Sequence, residues 1–110
     1  MMVDMALTDV EVVLLEELRS REGYGLELIG RVNARGEGPL VNEVNIYPAL
    51  RGMERDGLLE SYEGEPLPER GGRPRRYYRV TKKGRDALHA QAAAERSDVP
   101  AFVGRGLARG

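Results

Sequence analysis

The chain has 110 residues, 41% of them hydrophobic, enough for one small domain with a single modest core that a partner chain can help to complete. It has no cysteine, which excludes disulfides, thiolate metal sites and cysteine nucleophiles, and its aromatics are five Tyr and one Phe with no Trp. The formal net charge of -1 hides an asymmetry: eight of the 17 Lys and Arg fall within residues 70–85, where there is no acid.

In chain order, Thr8 and Glu11 form a T-x-x-E capping box, and Val10, Val13, Leu14 and Leu18 follow at helical spacing. They predict a first helix with Glu16 and Glu17 toward solvent, ending in a turn at Gly23. A second helix is expected from about Tyr24 to Asn33, with Leu26, Ile29 and Val32 inward. Gly25 and Gly30 weaken it intrinsically, so packing must hold it. Tyr24 at its start is placed either to meet a phosphate near the helix N-terminus or to pack between helices. Ala34 to Leu40 reads as a flexible link.

The third helix is the stretch N-I-Y-P-A-L-R-G-M-E-R that begins at Asn45. Ile46, Leu50 and Met53 share one face, while Tyr47, Arg51 and Arg55 line the opposite one. Asn45 is expected to cap it, which puts Pro48 in the first turn, where no intrahelical donor is needed. Gly57 supplies the permissive residue past its end.

Leu58 to Tyr62 reads as a strand, residues 64–74 as a Gly/Pro loop, and Arg75 to Val80 as a second strand with Tyr78 and Val80 on one face. The result is a β-hairpin with a basic tip. Thr81 then caps a last helix from Lys82 to about Arg96, which carries Leu88 and a run of alanines. Residues 97–110 read as a mobile tail.

This order defines an α+β, winged helix-turn-helix fold: three helices and a two-stranded wing over residues 8–81, followed by a C-terminal helix over residues 82–96. In such a fold the third helix enters the major groove and the wing meets the sugar-phosphate backbone or the minor groove. The candidate DNA-contacting residues are Tyr24, Asn42, Asn45, Tyr47, Arg51, Arg73, Arg75 and Arg76. Asn45 is suited to pair with adenine, Arg51 and the wing arginines to meet phosphates. Core packing is the competing role for Tyr47 and the expected one for Tyr78, and His89 reads as a packing or surface residue.

Several short motifs in this order resemble the PadR family of bacterial transcriptional regulators, across roughly residues 8–90. They are Glu22-Gly23-Tyr24-Gly25, I-Y-P-A-L at 46–50, the block Glu54 to Leu58, G-R-P-R-R-Y-Y-R-V-T at 72–81 and K-K-G-R-D-A-L at 82–88. The resemblance implies a homodimer paired through the C-terminal helix, with Leu88, Ala92 and Glu95 as contacts. It also implies repression at a pseudo-palindromic operator on double-stranded DNA, relieved by a small-molecule effector. The chain departs from the family where Asn42-Glu43-Val44-Asn45 replaces the usual Ser-x-Gly-Ser/Thr, which changes the residues available for base contact.

With no nucleophile constellation or ligand cluster, neither an enzyme nor a cofactor site is expected. No apolar run approaches the length of a membrane span, and Met1-Met2-Val3-Asp4 has no signal-peptide pattern, so a cytoplasmic protein is expected. The alternative function is a winged-helix interaction module that binds an acidic protein through the same basic wing.

Overall fold

The computed structural model describes residues 6–99, with side chains to residue 95. Helix α1 (Asp9–Ser20) begins at the Thr8 capping box and buries Val13, Leu14, Leu15 and Leu18. It is the central helix, touching every other helix of the fold and the sheet. Its C-terminal carbonyls are held by Arg31, whose guanidinium donates to the Glu17 and Arg21 carbonyls and pairs with the Glu17 carboxylate at 3.3 Å. A cation at this end also complements the helix dipole.

Gly23 and Tyr24 do not open the second helix. They form a short strand, β1 (Gly23–Tyr24), and helix α2 (Gly25–Asn33) follows directly. This changes which face is buried. At 3.6 residues per turn, Leu26 and Val32 lie about 120° apart, whereas Gly25, Leu28 and Val32 fall within about 60° of one another. The second set is the buried one, and Leu26 is 50% exposed rather than inward.

The link that follows is closed by Val41, buried at 1% exposure, and helix α3 spans Glu43–Arg55. Its cap is Asn42, not Asn45. The helix therefore starts three residues earlier than expected, and Pro48 lies inside it at the sixth position rather than in the first turn. The donor that Pro48 lacks would have met the Val44 carbonyl, close to the helix start and on its exposed side. Ile46, Leu50 and Met53 form the buried seam.

At its other end α3 stops in a Schellman motif: Leu58 N donates to the Met53 carbonyl at 2.8 Å and Gly57 N to the Glu54 carbonyl at 3.0 Å. Gly57 takes the required left-handed conformation, φ 84°.

Strands β2 (Leu59–Pro66) and β3 (Pro74–Val80) pair antiparallel, and β1 adds to the other edge of β3. The sheet is thus three-stranded, order β1-β3-β2, where a two-stranded wing was expected. The register pairs Leu59 with Val80 and Ser61 with Tyr78. Leu59 and Tyr78 are buried against the helices, and Val80 packs beside them. Between β2 and β3 the wing tip is built by a 3-10 turn, Pro68–Arg70, and by Gly71 and Gly72.

Helix α4 (Lys82–Val99) starts at Thr81, whose Oγ1 accepts from Gly84 N at 3.1 Å, and runs three residues beyond its expected end. The rest of the expected mobile tail lies outside the described residues. The single core joins α1, α2, α3, the inner face of the sheet and Leu88 of α4. No helix among the described residues is long and apolar enough to cross a membrane.

Candidate nucleic-acid interface

The outward face of α3 and the wing flank a cleft of about 280 Å³ lined by Tyr24, Tyr47, Arg70, Arg75 and Arg76. Tyr47 reaches this cleft by packing its ring on Gly25, where any Cβ would overlap the Tyr47 ring and hydroxyl. Sequence spacing left Tyr47 open between packing and contact; it is half-buried and stands between the two. Arg51, one turn further along α3, is exposed, and its charge is felt at Tyr78 on the inner face of β3. Burial of Tyr78 pushes its phenol above the ordinary tyrosine value.

The two asparagines have a different role from the one expected of Asn45. Asn42 Oδ1 accepts from Val44 N at 2.9 Å and Asn45 N at 3.1 Å. Asn45 Oδ1 accepts in return from Asn42 N at 2.9 Å, and its Nδ2 donates to the Leu40 carbonyl at 2.9 Å. This is a reciprocal capping box made of two asparagines. Bidentate pairing with adenine requires both the oxygen and the amide nitrogen of one Asn. Both oxygens accept within the box, so Asn45 builds the start of the helix.

The basic run of residues 70–85 separates into two groups. Arg76 is held on the inner face, donating to Ser61 Oγ at 2.9 Å and pairing with Glu63 at 3.3 Å. Arg79 pairs with Glu60 and Lys82 with Asp86, each at 2.9 Å. The Glu60 carboxylate raises the Arg79 guanidinium further above its already high value. By contrast, among the described residues Arg51, Arg70, Arg73 and Arg75 have no carboxylate partner within salt-bridge distance. Arg73 is exposed at the wing tip, and Arg70 braces the tip by donating to the Arg73 carbonyl at 3.2 Å.

On the outer face of the sheet, Tyr62 and Tyr77 stack with centroids 5.5 Å apart, and Tyr24 meets Tyr77 edge-on at 5.4 Å. The Arg75 guanidinium lies 4.4 Å from the centre of the Tyr24 ring and Arg79 lies 5.1 Å from that of Tyr62. Tyr62 donates its hydroxyl to Glu22, and that hydrogen bond is the main reason its phenol is raised above the ordinary value. Tyr24 therefore belongs to an aromatic ladder, which fixes the direction of Arg75. Sequence reasoning overlooked Tyr62, Tyr77 and Arg70. Alternation along β3 was the available signal, since an inward Tyr78 requires an outward Tyr77.

Of the residues expected at a subunit interface, Leu88 is buried in this chain's own core, because α4 uses it to seal α1 and the sheet. Ala92 is half-buried and Glu95 exposed. Glu95 borders a groove of about 580 Å³ against α1, alongside Asp9, Val12 and Glu16.

Three helices, a capped third helix beside a basic β-wing and a trailing helix define a winged-helix protein of the kind that regulates transcription. Residues 14–90 match the transcriptional regulator PadR-like family. The chain belongs to that family. A PadR family transcriptional regulator from Eggerthella lenta is 28% identical, with TM-score 0.68, the match covering 92% of this chain and 83% of that one. A transcriptional regulator from Clostridium thermocellum shares the fold with TM-score 0.69 at 24% identity, over 89% of this chain and 92% of that one. A PadR family transcription regulator from Clostridium difficile does so with TM-score 0.65 at 24% identity, over 90% and 97%. No match occurs among curated proteins.

Proposed function

We propose that the protein is a homodimeric, sequence-specific DNA-binding repressor acting in the cytoplasm at a pseudo-palindromic operator. The observation that carries this reading is the set of cations without carboxylate partners on α3 and the wing: Arg70 and Arg75 at the cleft beside Tyr47, Arg73 at the wing tip, and Arg51 exposed on the outward face of α3. Cations neutralised by neighbouring acids release few counterions from DNA; unpartnered ones on one face track a phosphate backbone. The helix enters the major groove with Val44, Tyr47 and Arg51, and the wing lies over the flanking phosphates with Arg73 and Arg75.

The second protomer packs its α4 on this chain's α1 and α4, using Ala92, Glu95 and the groove beside Val12. Pairing there sets two recognition helices against two half-sites. A small-molecule effector of unidentified chemistry acts on the dimer, and no cofactor takes part.

The test is protection of the DNA upstream of its own gene by purified protein, with the oligomeric state measured by light scattering at about tens of micromolar, a choice set by mass action. Protection of two half-sites separated by about one helical turn is expected. A protein that protects no promoter fragment but forms a stable complex with an acidic protein is instead an interaction module. A monomer at these concentrations refutes the assembly.

A further inference from the structure

We infer that Val44 is a specificity-determining residue that reads the C5-methyl group of a thymine in each operator half-site. The inference rests on the DNA-binding reading above and adds a base identity to it.

Val44 is the second residue of α3 and is 82% exposed, although it is branched and wholly apolar. It contributes nothing to the seam, which Ile46, Leu50 and Met53 complete without it. It lies on the same face as Pro48, Arg51 and Arg55, all of them exposed, at spacings of four, seven and eleven residues. The face is therefore cationic over its C-terminal half, where Arg51 has no carboxylate partner among the described residues, and apolar at the end that enters the groove.

A cationic surface selects phosphates, and an apolar spot within it needs an apolar group between those phosphates. On the major-groove edges of the four base pairs, the thymine methyl is the group of that kind.

The neighbours of Val44 strengthen the assignment by what they are unable to do. The side-chain oxygens of Asn42 and Asn45, two residues before and one after, are occupied by the capping box. Both asparagines are thereby turned toward the helix's own backbone, and Val44 is the apolar side chain that this turn offers to the groove.

The experiment uses the full chain and the protected promoter fragment, with each thymine replaced in turn by deoxyuridine. That replacement removes the methyl group and leaves every hydrogen-bonding edge unchanged. Losing one buried methyl contact weakens binding about fourfold, and the loss is expected at one symmetry-related position per half-site. Val44→Ala, which alters both protomers, is expected to weaken binding to the thymine fragment by the square of that factor, about sixteenfold, and to be indifferent to deoxyuridine at that position alone. Its thermal midpoint does not fall, because the side chain is exposed and Ala is the better helix former.

A protein that binds the fragment but shows no deoxyuridine position coupled to Val44→Ala overturns the inference and leaves the DNA-binding reading standing. Failure to bind any fragment, at low salt as well as high, overturns both.

Discussion

Asn45→Ala separates two roles that the sequence allows for one residue. As a member of the capping box, Asn45 supplies an acceptor to Asn42 N and a donor to the Leu40 carbonyl, both at 2.9 Å. Removing them costs about 0.5–1.5 kcal/mol each. The better helix propensity of Ala returns about 0.6 kcal/mol. The net loss is about 1 kcal/mol, in line with other capping substitutions. For a domain of this size that lowers Tm by about 4–8 °C, measured by circular dichroism at one fixed protein concentration. Affinity and base preference, measured well below Tm on operator variants substituted at each position, should be unchanged. An adenine-reading Asn45 predicts the reverse: a loss of about 1–3 kcal/mol at one base pair per half-site. A variant that keeps its Tm and loses preference at a single adenine refutes the capping assignment.

Gly84→Ala should cost at least about 2 kcal/mol and show as an early thermal transition, because a Cβ there overlaps the Leu58 carbonyl, which is backbone with nowhere to move. Arg73→Ala should reduce the slope of log affinity against log salt by about 1.8 for a dimer, at about 0.9 per phosphate contact. Arg76→Ala should reduce it by less, since Glu63 already neutralises Arg76 in the free protein; equal slopes for the two variants contradict this division of the wing. Tyr62 and Tyr78 should ionise later than free tyrosine in an alkaline spectrophotometric titration, and Tyr62→Phe should remove one late component. Both folded-state values are raised, so their contribution to stability is complete below the ordinary tyrosine value and is lost as pH rises through the folded one.

The elements whose signals are local were legible in the sequence. The Thr8–Glu11 box, the seam of α3 and the stop at Gly57 each depend on residues within one or two turns of one another, and each was read from spacing. The misplaced start of α3 has a specific cause. Asn42 and Asn45 are both good caps, and the presence of Pro48 favoured the later one, since a first-turn proline is easily accommodated. The fold accepts an internal proline because the bond it forgoes is at the exposed start of the helix. Tyr24 does stand at the start of α2, as its cap, but its strand was missed for a different reason: β1 exists only through pairing with β3, more than fifty residues away, and a two-residue strand has no periodicity to detect. At the site, composition located the basic patch but not its chemistry. Which arginines are neutralised depends on Glu60 and Glu63 across the strand pair, a matter of register.

The Leu58 carbonyl accepts from Thr81 N at 3.0 Å, the Gly57 carbonyl beside it accepts from Thr81 Oγ1 at 2.7 Å, and Gly84 lies flat against Leu58. Leu58 thus serves both helices, its N–H in the stop of α3 and its carbonyl in the seat of α4. The two helices are therefore tied to one another through the backbone of a single residue, so any substitution that shifts Leu58 disturbs the end of α3 and the start of α4 together.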